Sequence, residues 1–433
     1  MAQFNKNTRS YLDQAKTLFE VVMLADQYGN MVGPANPTGV AVDAFGRARM
    51  STPLTIFDSS HRYKDNGLWA TANTANTSVA FSANEGLINL TLSNGTANSE
   101  IVRETTKVMS YQPGKSLLSM NTFAMSPAKT NLRQRVGYFG ANNGIFLEQS
   151  GSTVSFVERS SVSGSVVDTP AAQETWNYDR LDGTGPSKLT LNLNQAQIFW
   201  TDIEWLGVGS VRCGFVINGQ MIHCHSFHHA NILSSTYITT ASLPLRYEIK
   251  NTGTVSGGST LKQICSTVIS EGGYELRGDQ RAVGTPVQTP KNLATAGTYY
   301  PVVSLQLKSA NLDAIAILTA ISLLGINSNP CSVGWRIIRG GTLTSPSWTP
   351  LEGSVEYDMS ATGISGGQVM AQGYVGITNQ SSQTIDILKE ALFKFQLQRN
   401  GLTGTPEPLT IALSASVNTV DCLASVDWEE ISR

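Results

Sequence analysis

Short apolar runs bounded by glycine, asparagine and serine recur along the chain from about residue 76. Such runs, at this length and spacing, are typical of strands in a β-sandwich or jelly roll rather than of alternating strands and helices. The sequence therefore predicts an all-β protein. The predicted strands cover residues 79–82, 87–92, 117–125, 136–139, 145–148, 154–157, 189–193, 299–308, 314–324, 334–338, 355–359, 368–375, 409–415 and 423–428.

Three regions follow from this pattern. Residues 1–75 hold one strand-like run, at 18–25, and then prolines and glycines without periodicity, which predicts an extended assembly arm. Residues 76–285 and 286–433 are predicted to be two β-sandwich, jelly-roll-like domains, joined by a linker at 285–290 (TPVQTP). Only residues 385–396 have the composition of a helix, and the end of this segment could equally begin a strand.

The clearest local prediction is a β-hairpin. Asn218-Gly219 is a strong signal for a two-residue type I′ turn, and apolar alternation flanks it on both sides. Pairing outward from the turn sets Arg212 opposite His225 and places one set of side chains on a core face. That set is Cys213, Phe215, Ile217, Ile222 and Cys224.

The five cysteines form no CxxC pair, and their odd count favours free thiols and folding in a reducing cytoplasm. In the predicted register Cys213 faces Cys224 at a hydrogen-bonded pair, where the Cα atoms are wide apart. We therefore predict two reduced core thiols there rather than a disulfide.

Four of the five histidines, His223, His225, His228 and His229, lie within seven residues, which raises the question of a metal site. His223 and His225 would share one strand face about 6–7 Å apart. However, the register places the permanent charge of Arg212 opposite His225, and no nearby acidic residue completes a ligand set. We predict no metal and no cofactor, with the histidines on an outward polar face or a subunit interface.

A strand predicted over residues 198–205 carries Asp202 and Glu204 on the same face as Trp200. Jelly-roll glycoside hydrolases place three acidic residues on one strand face as E-x-D-x-E, and here Trp200 stands where the first carboxylate belongs. A retaining mechanism then lacks its nucleophile. The segment 183–188 (GTGPSK) does not have the glycine spacing of a phosphate-binding loop. We therefore predict no catalytic residues.

Tryptophan side chains offer a different chemistry, because an indole ring can stack on a sugar or anchor a protein interface. The candidates for exposed rings are Trp69, Trp176, Trp200 and Trp348.

Composition narrows the function further. Charged residues make up 14% of the chain and the formal net charge is −2, which argues against nucleic-acid binding because few phosphates could be neutralised. The first residues lack the apolar core of a secretory signal, and the most apolar stretch, 312–326, is interrupted by polar residues. We expect neither secretion nor membrane insertion.

Several long segments resemble a family of virion structural proteins from contractile-tailed phages that infect marine cyanobacteria. They are residues 16–30 (KTLFEVVMLADQYGN), 110–125, 131–149, 198–220, 241–253, 261–276, 387–400 and 424–431 (ASVDWEEI). The resemblance spans nearly the whole chain. The resemblance implies that the protein is part of the phage particle, and it implies no catalytic residues in this chain.

The sequence therefore predicts a non-catalytic structural component of a tailed phage virion, folded in the host cytoplasm and associated with the neck, baseplate or fibre. Its expected partners are other copies of itself, as a trimer, and other virion proteins. Two alternatives use the same sandwich: a carbohydrate-binding receptor-recognition module, and a polysaccharide hydrolase.

Overall fold

A computed structural model describes residues 52–377 and 394–431, and gives the backbone alone of three further strands, Tyr11–Leu12, Leu18–Phe19 and Gln383–Asp386. The chain divides into two compact units, Met1–Thr52 and Pro53–Arg433. In the first unit Tyr11–Leu12 pairs antiparallel with Leu18–Phe19, which begins the strand predicted over 18–25. The rest of that predicted strand lies outside the described residues.

Strands make up nearly all of the regular structure in the described residues, so the predicted all-β class is confirmed. Two short 3₁₀ turns, Gln173–Thr175 and Ser309–Asn311, are the other regular elements there. The strands are β1 (Tyr11–Leu12), β2 (Leu18–Phe19), β3 (Leu54–Ser60), β4 (Trp69–Asn73), β5 (Thr77–Ser82), β6 (Leu87–Leu92), β7 (Glu100–Thr105), β8 (Leu117–Ala124), β9 (Leu132–Phe139), β10 (Gly144–Ser150), β11 (Thr153–Ser160), β12 (Val167–Ala172), β13 (Gln197–Ile203), β14 (Val211–Ile217), β15 (Gln220–Phe227), β16 (Leu245–Asn251), β17 (Ser259–Ser270), β18 (Asp279–Gly284), β19 (Lys291–Leu293), β20 (Tyr300–Leu307), β21 (Ala316–Ile326), β22 (Cys331–Arg339), β23 (Thr342–Thr344), β24 (Thr349–Pro350), β25 (Val355–Asp358), β26 (Gly363–Ser365), β27 (Gln368–Ile377), β28 (Gln383–Asp386), β29 (Gln398–Asn400), β30 (Thr405–Glu407), β31 (Leu409–Ala415) and β32 (Val420–Glu430).

The first sandwich packs two antiparallel sheets face to face. One has the strand order β12-β11-β10-β9-β16-β7-β4, and the other β15-β14-β13-β8-β17-β6-β5, with β3 also paired to β17. A single hydrophobic cluster fills the space between them and draws residues such as Leu90, Val136 and Phe156 from both sheets. Burial of this apolar surface is the main force that holds the sheets together.

The second sandwich has the same jelly-roll-like architecture on a smaller scale. Its sheets have the orders β18-β32-β21-β28, with β19 paired to β32, and β24-β25-β20-β31-β22-β27. Trp428, Leu413 and Ile321 belong to its core cluster. The edge strand β27 contains no charged residue and no proline, and exposes 79% of Tyr374.

The structure also corrects several details of the predicted organisation. Strands β3 and β4 belong to the sheets of the first sandwich, although both fall inside the predicted arm. Residues 285–290 form a loop within the second sandwich, because β18 before them already pairs with β32. The predicted boundaries at 75 and 285 therefore fall after β4 and after β18, inside the sandwiches to which these strands belong. Residues 189–193 form no strand beyond one bridge, from Thr190 to Asp182.

The predicted helix over residues 385–396 is wrong where the structure describes it. Ile385 and Asp386 lie in β28, which pairs with β21, and Gln396 forms a bridge to Ile317. Pairing with an open sheet edge outweighs the helical composition there, since intrinsic propensity is a weak preference. Residues 387–393 lie outside the described residues. Within the described part of the chain, no helix is long and apolar enough to cross a membrane.

Residues of the second sandwich contact β7 and the segment after it in the first. The guanidinium of Arg399 lies 2.7 Å from the carboxylate of Glu104 and donates to the carbonyl of Thr105. The side-chain amide of Gln396 donates to the carbonyl of Val108, which is buried beside Ile317. This contact joins ionic, hydrogen-bonded and apolar groups at one place.

A charged layer covers the outer face of the seven-stranded sheet. Phe139 and Phe146 are fully buried on that face, and guanidinium groups lie over their rings, Arg135 at 5.0 Å and Arg159 at 5.2 Å from the centroid of Phe146. Both arginines pair with Asp168 of β12. The aromatic rings are thus shielded from water by ion pairs rather than by another sheet.

Candidate ligand-binding cleft

Three neighbouring strands, β13, β14 and β15, present Asp202, Arg212 and His223 on the face of the eight-stranded sheet that points away from the core. These side chains alternate with core residues such as Phe199 and Phe215. A cleft of about 530 Å³ opens over them. Its other lining residues are Tyr111, Gly114, Lys115, Ser116, Tyr178, Glu204, Leu206, Ser210, Ser226 and His228.

The floor of the cleft depends on a glycine. Gly214 lies directly between Trp200 and His223 in the strand register. A Cβ at this position would stand 2.0 Å from the carbonyl oxygen of Ile222 and 2.7 Å from the indole of Trp200. Without one, the indole lies across β14 with its centroid 5.9 Å from the imidazole of His223, and Tyr178 stacks on that imidazole at 4.0 Å. The His223 ring, which lines the cleft, is therefore packed against Tyr178 on the lining and against the buried Trp200.

An ion pair between Asp202 and Arg212 crosses from β13 to β14. The carboxylate is buried, whereas 56% of the arginine side chain is exposed to the cleft. Burial raises the pKa of Asp202, and the charges of Glu271 and Glu204 act in the same direction, while Arg212 opposes them. The exposed guanidinium is therefore held by its partner with donor groups still facing solvent.

His223 is uncharged at neutral pH. Burial and the nearby charge of Arg212 lower the pKa of His223 to about 4. A hydrogen bond to the carbonyl of His225 acts in the opposite direction but is outweighed. Since a carbonyl only accepts, Nε2 of His223 carries the proton, and it also lies 2.9 Å from the hydroxyl of Ser226. These bonds hold the ring in place on the cleft floor.

Polar groups at the rim are fixed by their own hydrogen bonds. The hydroxyl of Ser210 lies 3.0 Å from Nδ1 of His228, and the backbone amide of Ser210 donates to Glu204 at 3.4 Å. Across the cleft, Nζ of Lys115 donates to the side chain of Gln112 at 3.0 Å. The lining thus holds two carboxylates, two permanent cations and the imidazoles of His223 and His228, and the carboxylates and permanent cations are equal in number.

The predicted hairpin is confirmed at its turn and wrong at its far end. Asn218 and Gly219 both have positive φ, and the predicted register holds as far as Gly214 opposite His223. A β-bulge then shifts the pairing, so that Cys213 lies opposite His225 rather than Cys224. In the same way Ser226, and not His225, lies opposite Arg212.

The segment that follows the 3₁₀ turn at Gln173–Thr175 bonds to β15 at the bulge. Backbone amides of Tyr178 and Asp179 both donate to the carbonyl of Cys224, and the Asn177 side chain bonds the backbone of Ser226. These bonds occupy the outer edge of β15 at the bulge. Cys213 and Cys224 are buried free thiols.

The four clustered histidines have four different environments. His223 lies on the cleft floor, His228 lies at the rim, and His225 packs edge-on against Phe227. His229 donates to the carbonyl of Gly209 and lies 2.7 Å from the carboxylate of Glu158. Among the described residues no group of three or more His, Cys, Asp and Glu side chains could hold a metal ion. The absence of a metal stays a prediction, and one of its two stated reasons, the charge of Arg212 opposite His225, was wrong.

Of the two acidic residues predicted to share a strand face, Glu204 is exposed whereas Asp202 is only 5% exposed. The prediction of exposed tryptophans is wrong for three of the four rings, Trp69, Trp176 and Trp200, which are buried. Tyr178 and Lys115 were not singled out from the sequence. Both residues lie in loops. They come close to the cleft strands only in the folded protein, so the local sequence gives no indication of it.

Acid should weaken the folded state through His223. The unfolded chain binds a proton at this histidine from about pH 6.5, while the folded state keeps it neutral down to about pH 4. Between these values the unfolded state holds more protons, so the free energy of unfolding falls as the pH falls. We expect the free energy of unfolding of His223→Gln, measured with urea, to fall less than that of the wild type across this window. The two curves should run parallel above pH 7, and parallel curves throughout would contradict the prediction.

Comparisons with protein-family models and with curated proteins find no match for this chain. Among solved structures, it is similar to the Emp47p carbohydrate recognition domain, at 10% identity and a TM-score of 0.33 over 53% of this chain and 99% of that one. A second is the catalytic domain of an endo-1,3-β-glucanase (laminarinase) from Thermotoga petrophila RKU-1, at 10% identity and a TM-score of 0.35 over 52% and 100%. A third is the botulinum neurotoxin serotype D ligand binding domain, at 11% and 0.30 over 88% and 96%. At these values the similarities add nothing to the β-sandwich fold described above.

Proposed function

We propose that the protein is a non-catalytic carbohydrate-binding module whose ligand occupies the cleft over β13, β14 and β15. The observation that carries this proposal is the convergence of Glu204, Arg212 and Tyr178 on the lining of one cleft. A carboxylate accepts from sugar hydroxyls, a guanidinium donates to them, and an aromatic ring packs against the C–H face of a pyranose.

The balance of charge favours a neutral, hydroxyl-rich ligand. Asp202 and Glu204 offset Lys115 and Arg212, and His223 adds no charge at neutral pH. A phosphate or nucleic-acid ligand would need a surplus of cations, which this lining lacks. The volume of about 530 Å³ lies within the range of small-molecule sites, roughly 300–1,000 Å³.

Binding rather than hydrolysis is favoured by the arrangement of the acidic residues. Trp200, buried in the floor, occupies the position where a third carboxylate would stand on the strand. Asp202, within β13, is held in an ion pair with Arg212. Glu204, the residue that follows β13, is therefore the exposed carboxylate of this segment. Two free carboxylates flanking a glycosidic bond are the usual requirement for its hydrolysis.

A glycan array followed by calorimetric titration tests the proposal. We expect Arg212→Ala to weaken binding of an array-positive glycan by about 10- to 100-fold, since hydrogen bonds to charged groups contribute about 1.5–3 kcal/mol. Arg212→Lys keeps the charge opposite Asp202 and controls for loss of folding. Arg62→Ala, at an exposed arginine of the same sandwich, should leave affinity unchanged.

Two results would contradict the proposal. A folded wild-type protein that binds no glycan on the array would remove its basis. Release of reducing sugar by the wild type, lost in Glu204→Gln, would instead favour the hydrolase.

We also propose, from the resemblance of its long segments to virion structural proteins, that the chain is a building block of a tailed phage particle and that glycan recognition serves attachment to the host surface. The uncharged edge strand β27, with Tyr374 and Val369 exposed, supports contacts with other protein, because an open strand edge is a site for pairing. Mass spectrometry of purified particles tests this role, and absence of the protein from them would contradict it.

A further inference from the structure

A second cleft lies beside the first. It has a volume of about 730 Å³ and is lined by both sandwiches, with Thr239 and Ser242 from the first, and Asp313 and Ser354 from the second. Tyr111 and Lys115 line both clefts. The two clefts are therefore neighbours that share part of their lining.

The wall between them is a short stretch of chain. Glu204 and Leu206 line the first cleft, and Trp205, between them, lines the second. The hydroxyl of Tyr111 accepts hydrogen bonds from the backbone amides of Trp205 and Leu206, at 3.1 and 3.4 Å. The Tyr111 and Trp205 rings meet edge to face at 5.8 Å, and the indole donates to the carbonyl of Ile238. This junction is rigid, and its half-buried indole faces the second cleft.

The second cleft has the same chemistry as the first. Its lining includes two carboxylates, Glu275 and Asp313, and two cations, Lys115 and Arg277, so its charges also balance. Hydroxyl and amide groups supply most of the remaining polar lining, and Trp205 supplies an aromatic ring. A chain of sugar units that leaves the first cleft past Tyr111 would meet these same groups again.

We propose that the two clefts form one groove for an oligosaccharide, with the first units over His223 and Tyr178 and later units against Trp205. This inference rests on the proposed carbohydrate-binding function and deepens it, because it assigns an extended glycan rather than a single sugar as the ligand. It also gives the second sandwich a part in binding, through Asp313 and its neighbours.

A size series built on the strongest glycan of the array, from the monosaccharide upward, tests the inference by calorimetry on the full chain. Affinity should rise with length and then level off once both clefts are filled. Trp205→Ala should weaken binding of the longer members by about tenfold and leave the shortest unchanged. Arg212→Lys should weaken every member of the series.

A second variant guards against a folding defect in Trp205→Ala. Arg277 has 79% of its side chain exposed, so Arg277→Ala should fold normally, and we expect it also to affect the longer members alone. Affinity that does not change with length, or an equal loss for every length in these two variants, would overturn the extended groove while leaving the first cleft as the binding site. Failure of the wild type to bind any member would overturn the carbohydrate-binding function itself.

Discussion

Replacing Arg135 by methionine is expected to lower the free energy of unfolding by about 3–5 kcal/mol, because it removes the arginine partner of Glu148 and one of the two arginine partners of Asp168 and of Glu248. The guanidinium lies 2.6 Å from Glu148, 3.2 Å from Asp168 and 3.4 Å from Glu248. Only 9% of the Arg135 side chain is exposed, and methionine keeps most of its apolar stem over Phe146. Urea unfolding at neutral pH measures the loss.

The matched control is an ion pair in solvent. Lys262 and Glu85 also join by a short contact, but 38% and 44% of their side chains are exposed. Lys262→Met should therefore leave the free energy of unfolding nearly unchanged. Equal losses in the two variants would show that the charged layer is no more important than a surface pair.

Phe156→Ala is expected to be as damaging, at about 3–5 kcal/mol, for a different reason. Its ring is fully buried and stacks on Trp176 at 4.2 Å, with Phe199 at 5.6 Å and Phe215 at 6.0 Å. These rings come from both sheets and from the segment that docks on β15. Alanine would leave a cavity that rigid strands cannot close, and chemical unfolding would report it.

Two further variants make this test specific. Phe156→Leu keeps much of the apolar volume and should lose less stability than Phe156→Ala. Tyr63→Ala removes a ring that is 78% exposed and should have little effect. If Phe156→Ala were as stable as Tyr63→Ala, the two sheets would not depend on this aromatic cluster.

The fold class follows from the sequence because strand signals are local. Asn218-Gly219 places both turn residues at positive φ, and period-two alternation puts Phe199 and Ile203 in the core with Asp202 on the opposite face. The bulge at Cys224 is not apparent in the local pattern, and it lies where the backbone amides of Tyr178 and Asp179, more than forty positions earlier in the chain, bond to β15. One displaced residue was enough to give the wrong partner for His225.

The cleft was predictable only in part. The spacing of Trp200, Asp202 and Glu204 placed them on one strand face, which the structure confirms for the two residues within β13. The sequence did not predict that three of the four tryptophans are buried. The identity of a residue as tryptophan does not indicate which neighbouring residues will cover its ring in the fold. The sequence placed Arg212 opposite His225. In the sheet, β14 also pairs with β13, and Arg212 lies opposite Asp202.

The position of β17 has a consequence for how the protein folds during synthesis. In the eight-stranded sheet it lies between the β5–β6 hairpin and the block formed by β8, β13, β14 and β15, and it pairs with β6 and β8. Within each block most paired strands are close in sequence, so each block can form early. The pairing of β17 with β6 and β8 comes last, because it closes a long loop. A nascent chain therefore exposes the open edges of β6 and β8 until residues up to Ser270 have left the ribosome. Translation speed over this region, rather than thermodynamic stability, should govern how much of the newly made protein aggregates.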